Sequence, residues 1–217
     1  MSDSVERLIE KLAASAAPVR RLKPPAIRAA GWLAAVAAIA AVAILAFSNL
    51  DLFMHRVQDP KMQLELIGTA LTGILAVIAA FHLSLPDRSP AWALLPLPPF
   101  VLWLASSGYN CYRHWIVYGP DGWALGDSAD CFQFILLVSI PFGASLVLVL
   151  RRAFPLNPVR VALMGGLGVA ALSAFVLQFF HPFDVTFMDL GVHLVAIGLV
   201  ASIAGVMEKL ANRARVY

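Results

Sequence analysis

The chain has 217 residues, 60% of them hydrophobic and only 13% charged, with a mean hydropathy of +0.80. A water-soluble domain carries about 25% charged residues, so the composition excludes an ordinary soluble enzyme or binding module. The net charge of +3 and the pI of about 9.1 come from Lys and Arg beside apolar runs. That placement sets membrane topology and touches anionic headgroups, and it argues against direct nucleic-acid binding.

The chain opens on a leader, residues 1–28, read as cytoplasmic. Val5, Leu8, Ile9 and Leu12 fall at i, i+3, i+4 and i+7, one face of a helix. Asp3 followed by Glu6 has the spacing of a capping box, and Pro18 predicts an end near Ala17. A basic extended stretch, VRRLKPP, follows and carries Val19, Arg20, Arg21 and Leu22. A short amphipathic helix has no core of its own. Its stripe either docks into a groove on a cytoplasmic protein or lies on the bilayer surface.

Six apolar runs then appear, each read as a helix because a lipid environment demands internal backbone hydrogen bonds. The first is Ala29–Ser48, behind too long a leader for a cleaved signal peptide to be expected. The second, Leu64–Leu83, holds Glu65 one turn from its start. The third, Ala91–Ser107, is short, and Pro96, Pro98 and Pro99 are expected to bend it. An outer loop, residues 108–131, contains both cysteines, Cys111 and Cys131, with His114 three residues after the first. The fourth run, Phe132–Leu150, carries Pro141, and the fifth, Val161–Phe180, has a small-residue ridge of Gly166, Ala170 and Ala174. The sixth, Val185–Met207, follows His181 and carries Asp189 and His193 at i, i+4. The domain organisation is therefore a leader, a six-helix membrane domain over 29–207 and a tail at 208–217.

Orientation follows from the cations. With the N-terminus cytoplasmic, the inner side collects 13 of the 16 Lys and Arg residues. The fold class is thus an all-α integral membrane protein, a six-transmembrane-helix bundle with both termini in the cytoplasm. In a bacterial inner membrane the outer face is the oxidising periplasm, where disulfides persist. Cys111 and Cys131 are open to three states: a structural bridge, a redox- or metal-responsive pair, or two unpaired thiols. Cys111 with His114 is a minimal metal pair that no second pair completes. Glu65, Asp189 and His193 are costly in lipid and are expected to face protein, as a coupling cluster or as helix glue. They are too few and too scattered for an active site, so no enzyme, cofactor or small-molecule substrate is expected.

The leader "LIEKLAASAAPVRRLKPPAIRAAGWL" resembles that of NrsF-type proteins, six-span inner-membrane anti-sigma factors paired with extracytoplasmic-function (ECF) sigma factors. The similarity continues through "LELIGTALTGILAVIAAFHLSLPDRSPAWALLPLPPFVLWL", "DCFQFILLVSIPFGASLVLVLRRAFP" and "HPFDVTFMDLGVHL". The resemblance implies that the leader sequesters a sigma factor and that cysteines help to release it under oxidant or metal stress. Cys131 stands at one family cysteine position, whereas His181 stands where the second is expected and Cys111 is additional. A small transporter or channel is the alternative, opposed by the near absence of ionisable groups mid-span and of paired broken helices.

Overall fold

The computed structural model describes residues 2–15, 21–119 and 125–180, with 191, 194–196, 198–203 and 206–207 beyond them. Its elements are α1 (Ser2–Ser15), α2 (Pro25–Phe47), α3 (Leu50–Arg56), α4 (Pro60–Leu83), a 3-10 turn (Pro90–Leu94), α5 (Leu97–Tyr118), α6 (Leu125–Arg151) and α7 (Pro158–Leu177). No strand occurs among the described residues. Five helical segments are long and apolar enough to cross a membrane, namely Pro25–Phe47, Pro60–Leu83, Pro90–Tyr109, Phe132–Arg151 and Pro158–Leu177. Of the sixth expected span, the described portion is a shorter apolar helix, Leu194–Ile203.

Local chemistry sets the helix starts. Pro25, Pro60 and Pro158 each open a helix, where a missing N–H costs nothing. The Asp59 carboxylate accepts from Lys61 N at 2.9 Å, and Asn157 Oδ1 accepts from Arg160 N at 3.4 Å. α2, opened by Pro25, and α4, capped by Asp59, both start four residues before the expected spans. In the leader, helix already begins at Ser2, so Asp3 lies in the first turn and does not cap it.

The prolines of the third span stand where its geometry changes: Pro96 lies in the turn between the 3-10 turn and α5, and Pro98 and Pro99 lie in the first turn of α5. One expectation about α5 and α6 is corrected. The proposed outer loop 108–131 is largely helix, because α5 runs on to Tyr118 and α6 begins at Leu125. No Gly or Pro interrupts the chain from Tyr109 to Tyr118, and Gly119 at φ 76 ends that run. Asp127 and Asp130 are not loop residues; they lie near the start of α6, where carboxylates favour the positive end of the helix dipole. Pro141 lies inside α6 and withholds the amide that Leu137 would accept there.

α4 and α7 form the centre, with two-thirds of each span buried against 11% for α2. Without a hydrophobic drive between helices in lipid, close packing must bind them, and small residues permit it. A Cβ on Gly168 would stand 3.0 Å from Val77 N and 3.1 Å from the Gly73 carbonyl. On the other side of α4, Trp103 of α5 lies over Gly68, whose added Cβ would be 2.9 Å from the tryptophan Cβ. The expected ridge on α7 is buried at Gly166, Ala170 and Ala174. A Cβ on Gly166 would lie 2.6 Å from Ala201 Cα, which places the Leu194–Ile203 helix against that ridge.

The main apolar core joins Trp32 and Val36 of α2 to Val77 and Phe81 of α4, Leu146 and Leu150 of α6, and Val169 of α7. A buried polar bond joins α6 to α7: Ser139 donates to Ser173 Oγ at 3.1 Å, both side chains buried. Ser139→Ala is expected to lower stability by about 1 kcal/mol, typical of interhelical hydrogen bonds in membranes. Thermal melting in detergent measures this, with Ser106→Ala as control, since Ser106 only bonds back to Trp103 O within its own helix.

Candidate partner-binding leader and its seat on the bundle

α1 presents its stripe bare. Val5, Leu8, Ile9 and Leu12 are 54–61% exposed, and every described side chain of the helix is exposed. Arg21 and Leu22 follow as exposed extended chain; Val19 and Arg20 lie outside the described residues. The described leader residues thus offer one apolar face on α1 and exposed chain at Arg21 and Leu22.

The root of the leader is held differently. Arg28 Nη2 donates to Val149 O of α6 at 2.7 Å, and its guanidinium carbon lies 5.2 Å from the centre of the Phe81 ring on α4. One turn further, Trp32 Nε1 donates to Ser145 Oγ of α6 at 3.0 Å. Beside this joint His82, at the end of α4, stacks on Trp92 of the 3-10 turn with ring centroids 3.8 Å apart. The start of α2, the end of α4 and the end of α6 therefore meet at one end of the bundle. Arg28, Arg88, Arg151 and Arg152 belong to these termini and the turns that follow them. All four are among the 13 cations that the charge rule collects on one side. Arg28 and Trp32 went unread as structural contacts, because bonds spanning 121 and 113 residues leave no periodic trace.

At the opposite end, Phe53 of α3 stacks on Phe179 with centroids 4.2 Å apart, and Phe134 of α6 meets Phe180 at 5.3 Å. A cleft of about 220 Å³ lies between α3 and the end of α7, lined in part by Phe47, Phe53, Arg56 and Gln178. Cys111 lies in α5 and Cys131 in α6, both in the turns nearest this end. Their side chains, and that of His114, lie outside the described residues. Most of the chain between the two cysteines is helix, so any pairing depends on how α5 and α6 approach each other.

Glu65 is 4% exposed, facing protein as expected, and Thr69 Oγ1 donates to its carbonyl at 2.6 Å. His181, Asp189 and His193 lie outside the described residues, so the polar cluster expected around them falls there too. Among the described residues, no group of three or more His, Cys, Asp or Glu is placed to hold a metal ion.

The family model described as NrsF, negative regulator of sigma F, matches residues 12–213. The match includes Leu12, the basic strand and both cysteines, and it begins after Val5, Leu8 and Ile9. No curated protein and no solved structure matches the chain.

Proposed function

We propose, since the chain belongs to the NrsF family of negative regulators of sigma F, that it restrains its sigma factor by holding it at the membrane through the leader. The family name implies a sigma factor as partner; the ECF type, the grip and the release signal are our reading. The supporting observation is the bare stripe of α1, where Val5, Leu8, Ile9 and Leu12 stay exposed although the chain offers buried positions elsewhere. An amphipathic helix of this kind gains its stability by laying the apolar face into a partner's groove. Arg21 and Leu22 extend the surface, and Val19 and Arg20 complete the basic strand in sequence.

In this reading both termini lie in the cytoplasm of a bacterium, and Cys111 and Cys131 face the periplasm. Oxidation or metal capture at the cysteines releases the sigma factor, with Glu65, His181, Asp189 and His193 as the groups that couple the signal to the bundle. A useful switch requires the stimulus to favour one bundle state by a few kcal/mol; about 5.5 kcal/mol moves a population from 1:99 to 99:1.

Affinity capture from solubilised bacterial membranes tests the grip. The full chain is expected to retain a sigma factor, identified by mass spectrometry, and a Δ1–24 variant to lose it. Diamide or Zn²⁺ is then added to the full complex and to a Cys131→Ser complex. Release from the first alone supports the cysteine signal. Retention of the sigma factor by Δ1–24 would refute the leader's role.

A further inference from the structure

The last four carbonyls of a helix have no donor within it. At the end of α6, Leu150 O accepts from Ala153 N at 3.0 Å and Arg151 O from Phe154 N at 3.1 Å. Phe154 takes φ 47 as the chain turns away. The amide of Ala153 would ordinarily serve Val149 O, one residue earlier, and it has been drawn to Leu150. Arg28 fills the gap from a distant part of the chain, its Nη2 standing 2.7 Å from Val149 O. A cation here also meets the negative end of the α6 dipole, and a charged donor makes the stronger kind of hydrogen bond.

The second bond repeats this one turn away on both helices. Trp32 is four residues after Arg28 and Ser145 four before Val149, so the two bonds are successive rungs between antiparallel helices. Ser145 Oγ also donates to Phe142 O at 2.7 Å, which fixes its lone pairs toward the indole. The buried residues of α2 are Pro25, Ala29, Trp32 and Val36, all in its first half. Ile39, Val42, Leu45 and Phe47 beyond them are 59–80% exposed. The packing of α2 is therefore concentrated in its first half, against α4 and with these two rungs to α6, directly behind the prolines that end the leader.

We propose that Arg28 and Trp32 are positioning residues that cap and clamp the inner end of α6, so that the root of the leader moves with α6. That helix carries Cys131 near its other end, which makes the clamp the joint between outer signal and inner grip. Its regulatory meaning rests on the function proposed above; the joint itself does not.

Electron-spin distance measurements on the full chain in lipid nanodiscs test the joint. Both native cysteines are replaced by serine, and labels are attached at Leu22→Cys in the leader and Leu137→Cys on the exposed face of α6. The parent chain is expected to give one narrow distance. Trp32→Phe and Ser145→Ala sever the same bond from opposite sides, so each should broaden the distribution equally and the pair together no further. Arg28→Gln should broaden it independently, while the melting of Trp32→Phe falls no further than that of Ser139→Ala. A distance that remains narrow in the Arg28→Gln, Trp32→Phe double variant overturns the proposal, as does a parent distance that is already broad. If Arg28→Gln fails to fold, Trp32→Phe and Ser145→Ala decide the matter. Broadening in a chain whose parent captures no sigma factor upholds the joint and overturns the function assigned to the leader.

Discussion

Gly168→Leu is expected to drive α4 and α7 apart and to leave little folded protein to recover. A Cβ at this position would stand 2.7 Å from Val77 Cγ2, 3.0 Å from Val77 N and 3.1 Å from Gly73 O. Two of those three atoms are backbone, so no rotamer change on α4 relieves the clash. Overpacking a filled interior costs about 1–3 kcal/mol, and more where backbone must yield; whole domains are stable by only about 5–15 kcal/mol. Leucine brings three further carbons into the same gap. Gly143→Ala is the matched control, because its Cβ meets nothing within 4 Å and alanine favours helix. Size-exclusion chromatography and thermal melting in detergent should show Gly143→Ala at or above the parent and Gly168→Leu aggregated or absent. A Gly168→Leu variant that melts with the parent would mean that α4 and α7 do not approach this closely.

Leu8→Glu with Leu12→Glu is expected to abolish capture of the sigma factor and leave the bundle intact. The two side chains are 56% and 61% exposed, so charging them disturbs no core. Glutamate is nearly as good a helix former as leucine, so α1 keeps its shape. What changes is the face a groove would receive: an apolar anchor lost from an interface centre costs about 2–4 kcal/mol, or roughly 30- to 1000-fold in affinity. Glu6→Gln with Glu10→Gln alters the opposite face and should change capture little. Working in detergent removes the bilayer from the comparison. Retained capture would then move the binding surface to the inner turns around Arg88 and Arg151 and leave α1 as a bilayer-surface helix.

Much of the architecture was legible because its cause is local. Val5, Leu8, Ile9 and Leu12 announce one helix face by spacing alone, and α1 has that helix with that face uncovered. The apolar runs announce spans, and the cations sort the two ends of the bundle. Where the reading slipped, it weighed composition over continuity. The stretch 108–131 reads as a loop, yet α5 runs on to Tyr118 and α6 begins at Leu125, where Asp127 and Asp130 suit the positive end of the helix. Prolines 96, 98 and 99 mark where the 3-10 turn gives way to α5 inside the third span.

The sequence by itself determined what each segment is: an amphipathic leader, apolar membrane helices, and a basic and an acidic end. Hydrophobicity, periodicity and charge act over a few residues, so neighbours in the chain are enough to express them. Only the tertiary structure decided which helices meet. It made α4 and α7 the centre by the fit of Gly73 and Gly168 against the facing backbone, and it turned Arg28 from a topology charge into the cap of a helix 121 residues away. Such contacts depend on steric fit and on a carbonyl left without its donor. Neither exists until the helices are assembled.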